Sequence, residues 1–369
     1  MRNRYEKFVY EDERGITFAV TAKKGITLNV QEGTNGELII RALKIVSNNV
    51  YSELPTVSAG KYAEVLSVYT DNDGNQAVVP PGWTVSGQKK ENTIWGKDEG
   101  LIIYRIPKAE TSNVNWEDSS EIEMLQKNYD QLGWVPVSLL EANGTLDGIS
   151  FTEKFGRRDY QEEKFGRRDY QEDEFSEVEF HETLAGKLAL QLESVKKYDG
   201  FYISRYNISK NKKTGNPQSV KGEMPWTNID FNDAKKVAAT LETKDTITSH
   251  LTFGAEYDSV LEWFIKSNVR TRSEIAENST NWGNYWNSKN SPREVVETGS
   301  SEEWCTNNIY DFAGNVDEWT QEQNKSSCRV IRGGYCSVYG GNYPVAYSNY
   351  ISPNFGYSST GFRATLYIK

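Results

Sequence analysis

The chain is poor in the side chains that most often bind metals or act as nucleophiles. Its 369 residues include only three cysteines, Cys305, Cys328 and Cys336, and two histidines, His181 and His250. None of these stands at a CxxC or HxxxH spacing, so a zinc site is not expected. GxSxG, HExxH, GxxxxGK[ST] and GxGxxG motifs are missing, which disfavours hydrolase, metalloprotease and nucleotide-binding functions. We expect solvated histidines, and cysteines that serve as small apolar side chains.

Long apolar runs and clustered basic charge are also missing. No segment approaches the roughly 18 apolar residues of a membrane span, and the N-terminal sequence lacks the apolar region of a secretory signal. The formal net charge is −10, whereas a nucleic-acid groove needs clustered Lys and Arg. We therefore expect no membrane insertion, no signal peptide and no nucleic-acid partner.

Aromatic residues, in contrast, are abundant. The chain contains 22 Tyr and 10 Trp, and 37% of its residues are hydrophobic. That composition supports a sizeable core and favours strands and contact surfaces over a simple helical bundle.

Apolar residues alternate with small or polar ones at the start of the chain, which predicts a small β-rich unit over residues 1–55 for attachment or oligomerisation. A second domain is predicted over residues 56–369. Within it, Asp71, Asp73 and Asn75 favour a hairpin turn over a calcium loop.

Two helices are predicted in the second half of the chain. In DFNDAKKVAATLE, apolar residues fall at helical spacing behind the capping candidates Asp230 and Asn232. In LTFGAEYDSVLEWFIKS, apolar residues follow the i, i+3, i+4, i+7, i+8 pattern, with Thr252 placed to cap the helix. The core-facing positions are Phe231, Ala234, Ala238, Leu241, Tyr257, Val260, Leu261, Phe264 and Ile265.

Three C-terminal segments predict a scaffold: NNIYDFAGNVDEWT, RVIRGGYCSVYGGN and STGFRATLYIK. Glycine pairs suit positive φ or close backbone approach, and arginine forks bind carboxylates or carbonyls in a plane. The predicted scaffold residues are Gly314, Asn315, Trp319, Arg332, Gly333, Gly334, Gly361, Phe362 and Arg363.

These segments resemble the formylglycine-generating-enzyme (sulfatase-modifying-factor) group. GFYISRYNI from Gly200, MPWTNIDFNDA, LTFGAEYDSVLEW, DFAGNVDEW, VIRGG and GFR follow the order of the motifs of that group. The upstream segments VPPGWTVS, EGLIIYRIP and LGWVPV look like opening strands of the same domain. The resemblance implies an α+β, C-type-lectin-like fold with antiparallel sheets, two helices and much irregular structure.

The proteins that this chain resembles include both enzymes and binding proteins. The enzymes hold copper between two cysteines spaced C-x4-C, and soft thiolates suit Cu(I). Here Cys336 stands near the first position, but Gly341 occupies the second, and Asp317 replaces the first Trp of the family's GNVWEW motif. We therefore expect no cofactor and no oxidase activity, and a copper-dependent oxidase is kept as the alternative.

The binding proteins include phage and prophage proteins diversified by retroelements, whose variable residues lie between RGG and GFR. Residues 335–360 of this chain hold six Tyr, three Asn and five Ser, a composition typical of paratopes. The predicted ligand-binding residues are Tyr335, Ser337, Tyr339, Asn342, Tyr343, Tyr347, Asn349, Asn354 and Tyr357. Trp282, Tyr285 and Trp286 are assigned either to the border of this surface or to the core.

The resemblance implies a tail-tip protein of a phage or phage-like particle, with a cytoplasmic protein as the alternative. Its expected partners are a protein or glycan receptor on a cell surface, other particle subunits and further copies of the chain. An undiversified structural tail component is a further alternative.

The decapeptide EKFGRRDYQE occurs twice from Glu153 to Glu172, inside a segment at 151–180 that we interpret as an exposed, duplicated insertion.

Overall fold

The computed structural model divides the chain into two compact units. Backbone and side chains are described for residues 66–89, 94–106, 114–137, 190, 191, 193–195, 197–244, 246–322 and 328–369, and backbone alone for the strands within 5–53 and for residues 90, 93 and 323. The duplicated decapeptide, the 151–180 insertion and His181 lie outside the described residues.

The first unit comprises Met1–Thr70 and Gln76–Trp83. It holds a four-stranded antiparallel sheet in the order β1-β2-β6-β7 and a three-stranded antiparallel sheet in the order β3-β4-β5. The strands β6 and β7 belong to this unit because β6 pairs with β2. The strands are β1 Tyr5–Glu11, β2 Thr17–Lys23, β3 Ile26–Glu32, β4 Leu38–Ser47, β5 Val50–Glu53, β6 Ser67–Thr70 and β7 Gln76–Val79.

The second unit comprises Asp71–Asn75 and Thr84–Lys369 and is built on a six-stranded antiparallel sheet in the order β16-β23-β13-β12-β11-β8. The upstream segments resembling opening strands supply β8, β11 and β12, so they lie in one sheet with the GFYIS strand, β13. The strands are β8 Thr84–Val85, β11 Ile102–Tyr104, β12 Gln131–Pro136, β13 Gly200–Ser204, β16 Ile247–Leu251 and β23 Ala364–Ile368.

A four-stranded sheet in the order β21-β20-β19-β22 carries the C-terminal motifs. The pairs β19–β20 and β20–β21 are antiparallel, as the sequence predicts, whereas β19 and β22 pair in parallel. The strands are β19 Asp317–Gln323, β20 Arg329–Arg332, β21 Asn349–Ile351 and β22 Thr360–Phe362. Short hairpins pair β9 Lys89–Lys90 with β10 Thr93–Ile94, β14 Ser209–Lys210 with β15 Pro217–Gln218, and β17 Cys305–Thr306 with β18 Ile309–Tyr310.

Both predicted helices are present, as α3 and α4. The α-helices whose bounds the structure describes are α1 Lys97–Gly100, α2 Ser119–Asn128, α3 Phe231–Ala238, α4 Gly254–Lys266 and α5 Arg272–Ala276. Asp230 caps α3 as predicted, through a hydrogen bond from Asp233 N–H. The sequence did not predict α2, because its residues are largely polar and only Leu125 and Gln126 are buried.

The predicted cap of α4 is wrong. Phe253 is the N-cap residue, and its N–H donates to the Glu256 carboxylate at 2.8 Å. The Thr252 hydroxyl donates instead to the Arg363 carbonyl at 3.3 Å. Glu256, at the third position of the helix, accepts from the Phe253 N–H, and this capping contact places the start of the helix after Phe253 rather than after Thr252.

The α4 helix is the centre of the main core. Residues 254–264 are all buried, including three acidic ones, so the helix has no solvated face over this length. The Tyr257 ring stacks on Phe312 at a centroid distance of 4.4 Å, and Phe264 meets Phe312 edge-on at 5.6 Å. Trp282 and Tyr285 belong to the same core cluster, which assigns them to the core rather than to the border of the surface. Among the described residues, no helix is long and apolar enough to span a membrane.

Candidate binding surface

Arg332 joins three elements of the scaffold in the core. Its Nη2 donates to Asp258 Oδ1 of α4 at 2.8 Å, and its Nη1 donates to Glu322 Oε2 of β19 at 3.3 Å. The three side chains are fully or almost fully buried. The guanidinium carbon also lies 4.8 Å from the ring centroid of Tyr257. An arginine fork with two carboxylates thus fixes β20 where the candidate surface begins.

Arg363 has the same function at the other end of the candidate surface. Its Nε donates to Glu318 Oε1 at 2.7 Å, and its Nη1 donates to the carbonyls of Ser204 and Arg205 at 3.0 and 3.1 Å. Its Nη2 donates to the Tyr310 carbonyl. The predicted planar forks are confirmed for both arginines. They fix β20 and the junction of β22 with β23, the two ends of the segment at residues 335–357.

Glycines allow the chain to turn out of β20 into this segment. Gly333 and Gly334 have φ of 101° and 72°. A Cβ at Gly334 would lie 2.7 Å from Tyr285 Cε1 and 2.8 Å from the Tyr343 carbonyl oxygen. Only glycine fits such a position without displacing the backbone of the segment. Gly314 and Asn315 also adopt positive φ, as predicted.

Asp317 places a buried carboxyl directly behind the segment. Asp317 is 6% exposed and stands at the position where the family motif has Trp. Burial raises its pKa to about 8, although the Gly334 N–H hydrogen bond acts in the opposite direction; the Glu318 charge raises it further. The pKa of Tyr335 is also raised, mainly by burial and next by the charge of Asp317. Near pH 7 the Asp317 carboxyl therefore retains its proton.

The first part of the segment, which we call the 335–347 loop, lies on residues 275–288. Gly340 N–H donates to Asn287 Oδ1 at 3.2 Å, and Val345 N–H donates to Ser279 Oγ at 2.9 Å. Ala346 N–H donates to the Ile275 carbonyl at 3.2 Å. These contacts hold the buried positions of the loop. The predicted residues Tyr335, Ser337, Tyr339, Asn342, Tyr343 and Tyr347 stay exposed or half-buried between them.

Two tyrosines of this loop touch each other. The rings of Tyr343 and Tyr347 meet edge-on, with centroids 5.0 Å apart and planes at 76°. The edge-to-face arrangement is favourable and limits the motion of both rings. A preordered aromatic pair therefore stands at the surface of the loop.

The second part, residues 349–357, lies on a different support. Asn349 is in β21, opposite Ile331 of β20. The Pro353 carbonyl accepts from Phe231 N–H at 3.1 Å, and the Tyr357 carbonyl accepts from Asn228 N–H at 2.9 Å. The predicted residues Asn349, Asn354 and Tyr357 thus lie at the edge of β20 and at the N-terminal end of α3. The nine predicted residues form two groups on separate supports.

The two predicted sets occupy different environments. None of the nine predicted ligand-binding residues is buried, whereas all nine predicted scaffold residues are. The sequence prediction omitted Tyr350 and Phe355, which are 42% and 63% exposed in the same segment. Counting every aromatic residue between RGG and GFR would have found them. Trp286, assigned to either the surface or the core, is 38% exposed beside the loop.

The expectation of a solvated His250 is wrong. Its residue is 8% exposed, and its Nε2 lies 2.9 Å and 3.0 Å from the two oxygens of Glu256. Thr365 Oγ1 lies 2.7 Å from the same nitrogen and donates to Glu256 Oε2 at 2.7 Å. His250 is opposite Thr365 because β16 pairs with β23, a contact between segments more than a hundred residues apart. Local sequence could not reveal that partner.

The residues present do not fit a two-thiolate copper site. Cys336 is 3% exposed, and the position that would supply the second thiol is Gly341. Burial raises the pKa of the half-buried Cys305 to about 11, which keeps it a neutral thiol near pH 7. No cluster of three or more His, Cys, Asp or Glu suited to a metal ion occurs within the part of the chain that the structure describes.

The acidic residues near the start of the second unit form a turn, as expected from the sequence. Asp71 Oδ1 accepts from the N–H groups of Asp73 and Asn75 at 3.0 and 2.8 Å, and its Oδ2 accepts from Lys97 N–H at 2.9 Å. Backbone donors therefore already occupy this carboxylate.

A cleft of about 450 Å³ opens outside the predicted surface. Lys210, Lys212, Met224 and Trp226 are among its lining residues. The Lys210 ammonium lies 4.9 Å from the centroid of the Trp226 ring, and Lys212 pairs with Glu223 at 2.8 Å. Both lysines therefore already contact other residues that line the cleft.

The antiparallel sheet, the buried α4 and the irregular C-terminal region define a C-type-lectin-like domain of the α+β class. Residues 171–367 match the model of the sulfatase-modifying factor enzyme 1-like domain, and the chain belongs to this family. A comparison with curated sequences finds no match.

Solved structures give further similarities at low identity. Treponema denticola variable protein 1 is 16% identical, with 45% of this chain and 84% of that protein covered at a TM-score of 0.33. PvdO from Pseudomonas aeruginosa is 17% identical, with 46% and 82% covered at a TM-score of 0.35. CarF is 16% identical, with 46% and 87% covered at a TM-score of 0.32.

Proposed function

We propose that this protein is a binding protein that presents residues 335–357 to a protein or glycan receptor. The observation that carries the proposal is the separation of the segment into exposed Tyr, Asn and Ser residues and a buried frame. Arg332 and Arg363 fix the two ends of the segment through buried carboxylates. Exposed residues on a rigid frame can change without loss of the fold, which is what a specialised binding surface requires.

The chemistry of the exposed residues suits recognition. Tyrosine gives a large contact area with few rotatable bonds to order, and Asn and Ser give adaptable hydrogen bonds. The Tyr343–Tyr347 pair is already ordered, so binding costs less side-chain entropy there. We take these two residues as the centre of the surface.

Binding is proposed in preference to oxidation. The family motif needs a second thiolate, and this chain has Gly341 at that position. The buried Cys336 fits better as a small apolar side chain. The proposal therefore assigns the chain no copper chemistry, and stoichiometric Cu(I) binding with thiol oxidation would overturn that part of it.

The proposal extends to origin and assembly. The adenine-rich codons of Asn, when mutated, yield the Tyr, Ser, Asp and Gly types found here, so we propose that a retroelement diversifies residues 335–360 of a phage or phage-like tail-tip protein. Residues 1–55 would serve attachment or oligomerisation, and residues 151–180 would be a duplicated insertion. Several copies on one particle would compensate for weak single sites through avidity.

The binding proposal is tested by removing the tyrosine pair. The purified chain is screened against an array of glycans and cell-surface proteins, and the strongest ligand is titrated against the double variant Tyr343→Ala/Tyr347→Ala. We expect affinity to fall by about 100-fold, because two central tyrosines each contribute about 1–2 kcal/mol. The matched control is Tyr198→Ala, a half-buried tyrosine outside the segment. Equal affinity of the double variant and the wild type would refute the proposal.

A further inference from the structure

Arg293 stands out among the residues with left-handed backbone. Its φ is 63°, and the seven other non-glycine residues with positive φ in the described part of the chain are all Asn or Asp. Asn and Asp tolerate this conformation through short polar side chains, whereas a long side chain gains nothing from it. Arginine is therefore an uncommon residue for this backbone conformation, which draws attention to the contacts of its side chain.

The Arg293 side chain is held against an exposed tryptophan. Its guanidinium carbon lies 4.8 Å from the ring centroid of Trp286, and its Nε donates to the Trp286 carbonyl at 3.1 Å. Stacking and one hydrogen bond together fix the plane of the guanidinium. Its Nη1 and Nη2 donate to no acceptor among the described residues, so the outer edge of the fork remains available.

The backbone beneath Arg293 is tied to the buried scaffold. Arg293 N–H donates to Ser291 Oγ at 3.0 Å, and Ser291 Oγ donates to Asn284 Oδ1 at 2.6 Å. Asn284 in turn donates to Asn315 Oδ1 at 3.1 Å. This chain of hydrogen bonds connects the arginine to the GNVDEW motif. The guanidinium is therefore preorganised from both its backbone and its side chain.

Trp286 connects this pair to the proposed binding surface. Its backbone N–H donates to the Val338 carbonyl within the 335–347 loop at 2.9 Å. The next residue, Tyr339, is 51% exposed, and Trp286 is 38% exposed. Trp, Arg and Tyr are the residue types most enriched at the energetic centres of protein interfaces.

We propose that Arg293, stacked on Trp286, is a binding site for a carboxylate side chain of a protein partner. A planar fork with two outward N–H groups matches the two oxygens of Asp or Glu. The pair lies on an open loop rather than in the cleft at Lys210 and Trp226, and open aromatic–arginine surfaces suit proteins better than single sugars. This inference rests on the proposed function and narrows its partner to a protein with an exposed acidic residue.

The test uses small probes and nuclear magnetic resonance of the full chain labelled with 15N. The Arg293 Nε and Trp286 indole resonances are assigned from Arg293→Lys and Trp286→Phe. We expect both to shift saturably with N-acetyl-aspartate-N-methylamide and not with its asparagine analogue, while the other arginine Nε resonances stay in place. In Arg293→Lys the Trp286 indole should report about tenfold weaker binding, because lysine lacks the planar fork.

Three outcomes would overturn the inference: no shift with the aspartyl probe, an equal shift with the asparagine analogue, or a shift only with glucuronate, which would indicate an acidic sugar. The variant Tyr343→Ala/Tyr347→Ala should keep the aspartyl-induced shift. Failure of the tyrosine pair to bind a receptor is therefore distinguishable from failure of the arginine site.

Discussion

Replacing Arg363 with methionine is expected to lower the free energy of unfolding by about 3–5 kcal/mol, the cost of leaving one partner of a buried ion pair without the other. Among the described residues, Glu318 would keep only its hydrogen bond from Asn207 Nδ2 at 2.7 Å, and three carbonyls would lose their guanidinium donors. A loss of this size is a large part of the stability of an ordinary domain. Denaturant unfolding followed by near-ultraviolet circular dichroism, which reports the packed Tyr and Trp side chains, measures it.

Two further variants make the Arg363 result specific. Arg272→Met changes an exposed arginine and should alter stability by no more than about 0.5 kcal/mol. The double variant Arg363→Met/Glu318→Gln removes the stranded charge and should recover part of the loss. If the free energy of unfolding of Arg363→Met lies within about 1 kcal/mol of the wild-type value, the buried fork does not hold the end of the segment.

The second large effect concerns Asp317 and pH. Burial raises the pKa of Asp317 from its ordinary value of 3.8 to about 8, so between these values the folded state retains a proton that the unfolded state has released. Between these two values the unfolded chain binds fewer protons than the folded one, and this group destabilises the fold as pH rises. The expected slope is up to about 1.4 kcal/mol per pH unit. Its contribution to stability is complete below about pH 4 and lost above about pH 8.

The variant Asp317→Asn isolates this contribution. It keeps the shape of the side chain and cannot ionise, so it should match the wild type in pH dependence below pH 4 and become progressively more stable than it towards pH 8. Thermal melts at intervals across this range give the difference, and the low-pH measurement serves as the internal control. A constant difference between the two proteins at all pH values would show that Asp317 does not titrate within this window.

Local sequence patterns predicted the elements that depend on local chemistry. The apolar spacing of α3 and α4 follows from packing on one face, and the positive φ of Gly314 and Asn315 follows from their residue types. The arginine forks were predicted for the same reason, because guanidinium geometry matches carboxylates and carbonyls wherever they lie. These features do not require knowledge of distant partners.

Other features depend on contacts that sequence spacing does not reveal. His250 is buried only because β23 lies beside β16 and brings Thr365 to it. The parallel pairing of β19 with β22 joins strands separated by some forty residues. The α2 helix escaped prediction because it buries little apolar surface. In each case a long-range contact or a weak amphipathic pattern decided the structure.

The candidate surface was predictable in composition but not in arrangement. The Tyr, Asn and Ser content of residues 335–360 indicated contact residues, and the structure leaves all nine predicted positions at least partly exposed. Their division into two groups depends on supports at residues 275–288 and 228–231. The role inferred for Arg293 depends on a backbone angle and a stacking contact. Three-dimensional geometry was needed for both.

The separation of a binding surface from its frame is tested most directly by randomising each set of nine positions in turn. One displayed library varies Tyr335, Ser337, Tyr339, Asn342, Tyr343, Tyr347, Asn349, Asn354 and Tyr357 among Tyr, Asn, Ser, Asp and Gly, and the other varies the nine scaffold residues in the same way. The fraction of variants that resist protease is measured for each library.

Exposed positions change stability by little, whereas buried ones change it by several kcal/mol. We therefore expect most members of the first library to resist protease and to yield binders to lysozyme, used as an arbitrary target, after selection. Few members of the second library should survive. Equal loss of protease resistance in the two libraries would contradict the existence of a binding surface separable from the fold.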